Sequence, residues 1–139
     1  MEIKRPPAKL GGKRAEFAKG TAVTGAKGFV FLSGVTGRDP NTGEVVKGGI
    51  DAQVKVIFEE IKSRLEELGT SLENIVHIRM DWTDPAGVMD ALQKVWKEYC
   101  PRFAQDNPDR DPPAMTGLGI VALHAPGMLI EVTVTAAIP

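Results

Sequence analysis

Ile50, Val54, Ile57, Ile61, Leu65 and Leu68 follow one another at intervals of four, three, four, four and three residues, drawing one apolar stripe along an α-helix that begins near Gly49. Such a stripe has to be covered, and the chain offers a flat apolar surface to cover it. From Ile75 to Thr83 the pattern alternates: Val76, Ile78, Met80 and Trp82 share one strand face, and His77, Arg79, Asp81 and Thr83 share the other. Gly69 is placed to stop the helix at C′, while Glu60 with Arg64 and Lys62 with Glu66 form i, i+4 pairs on its wet side. A helix laid on one face of a sheet satisfies both patterns.

The remaining segments extend those layers. Asp84-Pro85 reads as the cap and first-turn proline of a second helix, with Val88, Leu92, Val95 and Tyr99 at helical spacing before Cys100-Pro101. Upstream, Thr21 to Thr24 and Phe29 to Gly34 read as strands around a glycine turn. The second has apolar residues on both faces and is expected at the centre of a sheet. Residues 1–20, rich in Lys, Arg, Pro and Gly, are expected as an irregular arm. Pro101 to Pro112 reads as a polar, proline-rich loop of a length that is usually functional or mobile. Pro112 to Glu131 reads as a hairpin, with a turn at His124-Ala125-Pro126-Gly127 and a last strand that turns Ile130, Val132, Val134 and Ala136 to one face. The predicted order is β-β-α-β-α-β-β, an α+β sandwich with two helices on one side of a mostly antiparallel sheet, in one domain spanning residues 1–139.

Composition narrows the function classes. Lys+Arg number 17 against 18 Asp+Glu, a net charge of −1, so the chain as a whole offers no attraction to nucleic acid or to anionic membranes. The single cysteine, Cys100, excludes an intrachain disulfide, and with His77 and His124 it gives no metal-ligand spacing; no metal and no cofactor are expected. The basic start MEIKRPPAKLGGKR is followed by no apolar segment of signal or membrane-spanning length, so a cytoplasmic protein is expected.

Glu131 is the residue where chemistry is first sought: a carboxylate among Leu129, Ile130, Val132 and Val134. The uncovered sheet face would carry His77, Arg79, Asp81, Thr133 and Thr135 interleaved with Phe29 or Phe31, Val35, Val121 and Leu129. That mixture suits packing on copies of the same chain, with small-molecule sites between subunits. Arg79 and Asp81 read as a salt-bridged pair, His124 as an exposed turn residue, and Cys100 as a thiol with no base to activate it.

The segments GFVFLSGVTG (Gly28 to Gly37), DPNTGEVVKGGIDAQ (Asp39 to Gln53), IKSRLEELGTSLENIV (Ile61 to Val76), WTD (Trp82 to Asp84), PPA (Pro112 to Ala114) and LHAPGMLIEVTV (Leu123 to Val134) together resemble the Rid (YjgF-type) family of enamine/imine deaminases. The resemblance runs from about Phe17 to Ala137. It implies a chorismate-mutase-like fold, a homotrimer with ligand clefts between subunits, and a hydrolase in which Glu131 activates the attacking water. Its ligand-facing positions fall here on Phe17, Gln93 and Met115; Ser33 and Gly34, Trp96 and Thr116 are further candidate substrate contacts, each also readable as a strand-end bend, a core aromatic and a packing residue respectively. Family members of the deaminase type clamp a substrate carboxylate with an arginine directly after Pro-Ala; here that position is Met115. Either another cation substitutes, with Arg14, Arg102 and Arg110 the candidates by chain proximity, or the substrate is more apolar and carries no carboxylate at that end. A ligand-binding or chaperone-like trimer without catalysis is the alternative.

Overall fold

The structure, a computed structural model describing residues 1–139, lays two helices against a mixed sheet. In chain order the elements are β1 (Glu2–Lys4), β2 (Pro7–Leu10), β3 (Lys13–Ala18), β4 (Ala22–Thr24), β5 (Gly28–Phe31), β6 (Val35–Thr36), α1 (Gly49–Glu67), β7 (Ile75–Trp82), α2 (Val88–Tyr99), β8 (Ala114–Gly119) and β9 (Ile130–Ile138). The main sheet runs β2-β3-β8-β7-β9-β5, with β6 also beside β9, while β1 and β4 form a separate two-stranded ladder.

α1 forms where its stripe predicts. Val54, Ile57, Ile61 and Leu65 are buried, although Leu68, at the C-cap, is exposed. Beyond it Gly69 takes φ 84°, donating to the Glu66 carbonyl, and Thr70 N–H donates back to Leu65. These two bonds make a Schellman stop, and the αL backbone at its centre favours glycine. The Glu60–Arg64 and Lys62–Glu66 pairs close at 2.8 and 2.7 Å. α2 starts later than expected: Asp84 accepts from Ala86 N–H in a turn ahead of the helix, and Gly87 is the N-cap.

Four expectations need correction. The segment Pro112 to Glu131 is not a hairpin, because β7 lies between β8 and β9, pairing parallel with β8 and antiparallel with β9. The alternation of both segments is real, but alternation does not reveal which strand is the neighbour. Residues 1–20 are not an irregular arm: β2 and β3 pair through a two-residue turn at Gly11-Gly12, with φ of 55° and 77°, the backbone that a right-twisted hairpin needs. The Phe29 to Gly34 segment splits into β5 and the approach to β6, and β5 is an edge strand whose Phe29 and Phe31 are exposed. In β7, a bulge at Val76 lets Ile75 and Ile78 both enter the core, so Val76 is not on the buried face.

β9 is a central strand, paired with β7 on one side and with β5 and β6 on the other, and its Ile130, Val132, Val134 and Ala136 join the helices in the core. Trp96 sits at the middle of that core, edge-on to Phe58 at 5.0 Å and to Phe103 at 5.2 Å. No helix is long and apolar enough to cross a membrane.

Candidate functional site: two separated half-sites

Glu131 stands on the face of β9 turned away from the helices, level with Asp81 of β7 and Thr36 of β6. It is half-buried because the chain at Gly34 passes directly over it: a Cβ at position 34 would lie 2.7 Å from the Glu131 carboxyl carbon. Ser33 beside it is exposed. Asp81, buried and adjacent to Glu131, is neutralised by Arg79 at 3.2 Å, so the pair read from the sequence exists and separates two neighbouring carboxylates in charge. A polar hollow of about 390 Å³ opens past Gly34 and Thr36, with Arg38 and Arg64 on its wall. Arg64 is held by Glu60, whereas Arg38 forms no ion pair. That cation stands in an isolated antiparallel bridge with Val45, and sequence reasoning missed it.

Met115 is elsewhere. β8 runs parallel to β7 with Met115 level with Ile78 and Gly117 level with Met80, which puts Met115 on the helix-side face and Glu131 on the opposite one. Within one chain the two residues do not meet.

Met115 opens instead into an apolar pocket of about 430 Å³. Leu10 and Phe17 come from the β2–β3 hairpin, Met80 and Trp82 from β7, and Met89 from α2. Trp82 lies across β8 at Gly117, where a Cβ would be 2.2 Å from the indole ring. A side chain there would push the ring into the pocket. The one charged group on the wall is Glu16 of β3, whose pKa is raised by burial first and then by Asp90 of α2, against the pull of Arg110. Leu10 and Glu16 escaped sequence reasoning because no motif marks them in a segment whose pairing was not recognised, and Met89 because it lies outside the Val88, Leu92, Val95, Tyr99 stripe.

The other candidates divide sharply. Phe17 lines the pocket with Met115; Ser33 and Gly34 belong to the Glu131 end. Trp96 is wholly buried in the core and reaches neither. Gln93 is buried too, its side-chain oxygen accepting from Gln105 N–H at 2.8 Å, which makes it an anchor for the loop after α2. Thr116 faces away from Met115 and bonds the ring of His77 at 3.0 Å. None of the three proposed replacement cations lines the pocket. Arg102 is taken by Asp111 and Glu73, while Arg14 and Arg110 donate to each other's carbonyls. The loop Pro101 to Asp111 is tied down by those arginines and by Arg5, whose guanidinium donates to Asp111 and to the carbonyls of Glu73 and Ile75 at 2.8–2.9 Å. Cys100 is buried, and burial followed by Glu73 pushes its thiol up to about 12, so it is no nucleophile at neutral pH.

The profile of a family described as endoribonuclease L-PSP matches residues 14–138, nearly the whole chain. The chain belongs to the Rid (YjgF) family. Among its relatives is a RutC family protein of Pyrococcus abyssi, 38% identical over 82 residues, which are 59% of this chain and 61% of that one. The 3-aminoacrylate deaminase RutC of Acinetobacter baylyi is 33% identical over 90 residues, covering 63% of this chain and 66% of its own. Each match thus spans less than two thirds of the relative's length. The crystal structure of RidA from a Psychrobacter species superposes with a TM-score of 0.64 at 27% identity, over 96% of this chain and 94% of that one. Two helices on a mixed sheet are therefore the Rid fold, and the corrected strand order above is how this member builds it.

Proposed function

We propose that this Rid protein hydrolyses a small imine, or an enamine after its conversion to the imine, at a site completed by two copies of the chain. The observation that carries the reading is Glu131: a half-buried carboxylate held under Gly34 on the sheet face that the helices leave uncovered. Its likeness in family and sequence to a 3-aminoacrylate deaminase supports the reaction class. Glu131 takes a proton from water as the oxygen attacks the C=N carbon. The resulting carbinolamine expels ammonia once its nitrogen is protonated, leaving a carbonyl product. Because Glu131 and the Met115 pocket lie on opposite faces of one chain, substrate held in the pocket reaches a Glu131 only from a neighbouring copy. The homotrimer with clefts between subunits supplies such a neighbour.

The test is turnover of imines generated in situ by an amine oxidase, followed by release of ammonia. Glu131→Gln is expected to lower the rate by about 10²–10⁴-fold while leaving the oligomer intact; an unchanged rate contradicts the assignment. A second reading, a ligand-binding trimer without catalysis, is favoured by the lack of any cation on the pocket wall. It predicts tight ligand binding that is insensitive to Glu131→Gln, with no turnover by the wild type. Endoribonuclease activity, named in the family description, fits poorly with a net charge of −1.

A further inference from the structure

The pocket at Met115 has a volume of about 430 Å³, within the range of roughly 300–1,000 Å³ typical of small-molecule sites. Its wall is apolar except for one carboxylate. Phe17 and Trp82 offer aromatic surface, and Met80, Met89 and Met115 offer thioethers that adapt to irregular shapes. Glu16 lies on that wall, with Asp90 close enough to act on it from the first turn of α2. Neither carboxylate has an ion-pair partner: Arg110 acts on Glu16 from beyond salt-bridge distance, donating to the carbonyls of Gln105 and Arg14 and leaving its Nε buried without a partner. An anionic ligand would enter an apolar-walled site beside an unpaired negative charge. A cationic one would find a carboxylate and two aromatic rings.

We infer that this pocket takes a ligand with an apolar or aromatic body and a cationic nitrogen, an amine or its iminium, and rejects the carboxylate of the same skeleton. The inference deepens the hydrolase reading and rests on it for treating the pocket as a substrate site. The chemistry is consistent: a protonated iminium, R₂C=NH₂⁺, is the electrophilic form, and with water it gives R₂C=O and NH₄⁺, so charge and atoms balance. Glu16 would hold the nitrogen end and thereby set specificity.

Calorimetric titration of the full-length protein at neutral pH with phenethylamine, 2-phenylethanol and phenylacetate reads this directly. Phenethylamine is expected to bind at least ten-fold more tightly than phenylacetate, with the neutral alcohol between them. Glu16→Gln should bring the amine down to the affinity of the alcohol and leave the alcohol unchanged. Phenylacetate binding as tightly as the amine, a preference that survives Glu16→Gln, or no binding by any of the three overturns the inference. Because the readout is equilibrium binding, the same titration on Glu131→Gln separates the two ideas. A wild type that prefers the amine yet never hydrolyses an imine contradicts the hydrolase reading alone.

Discussion

Glu16 is the residue of the Met115 pocket whose protonation the fold alters most plainly. Burial and Asp90 raise its pKa above the ordinary value of 4.5, with Arg110 opposing. Its folded form therefore binds its proton more tightly than the unfolded chain does. The stability it contributes is complete at acid pH and is lost as pH rises through the folded pKa. Denaturant titrations should find Glu16→Gln more stable than wild type at neutral pH, with the difference closing as pH falls toward 4.5. A difference independent of pH contradicts this. Met115 and Glu131 were legible as residues because each sits at a position the family motifs mark. What was not legible is their relation, since a strand's alternation assigns two faces but does not say which way either faces relative to another strand.

At the scale of elements, Arg5 explains why an N-terminal segment full of Lys, Pro and Gly is ordered. Its side chain is 1% exposed, bonded to Asp111, Glu73 and Ile75, and stacked 5.2 Å from the centre of the Phe103 ring. It ties the chain ahead of β2 to the loop after α2 and to the start of β7. Arg5→Ala leaves Asp111 to Arg102 alone, removes the donors to the Glu73 and Ile75 carbonyls and empties the space beside Phe103, and is expected to cost about 3 kcal/mol and to lower Tm on the order of 10 °C. Thermal denaturation checks it, and a shift under 2–3 °C, by the same scaling, contradicts it. The helices were readable because a 3.6-residue stripe is a local pattern, complete within Ile50 to Leu65. The parallel pairing of β7 with β8 was not, because it depends on a crossover through α2 and the tied loop. The Gly11-Gly12 hairpin was readable in principle, from two glycines between short runs, but its Lys- and Pro-rich flanks resemble a tail.

For the whole molecule, Glu131 and the Met115 pocket are separated by the thickness of the sheet, so the hydrolase proposed above requires a second copy of the chain. The exposed Phe29, Phe31 and Leu118 add apolar surface for a second copy to cover. The composite site can be tested by subunit mixing. Glu131→Gln removes the base, and Gly117→Leu drives Trp82 into the pocket because even a Cβ there would be 2.2 Å from the ring. Each variant alone should be inactive on an imine that the wild type hydrolyses. Differently tagged, co-expressed and purified as mixed trimers, they should recover about one third of wild-type activity per subunit, since a mixed trimer of either composition has one adjoining pair in three with the pocket and Glu131 both intact. Verified mixed oligomers that recover no activity would contradict a site shared between copies.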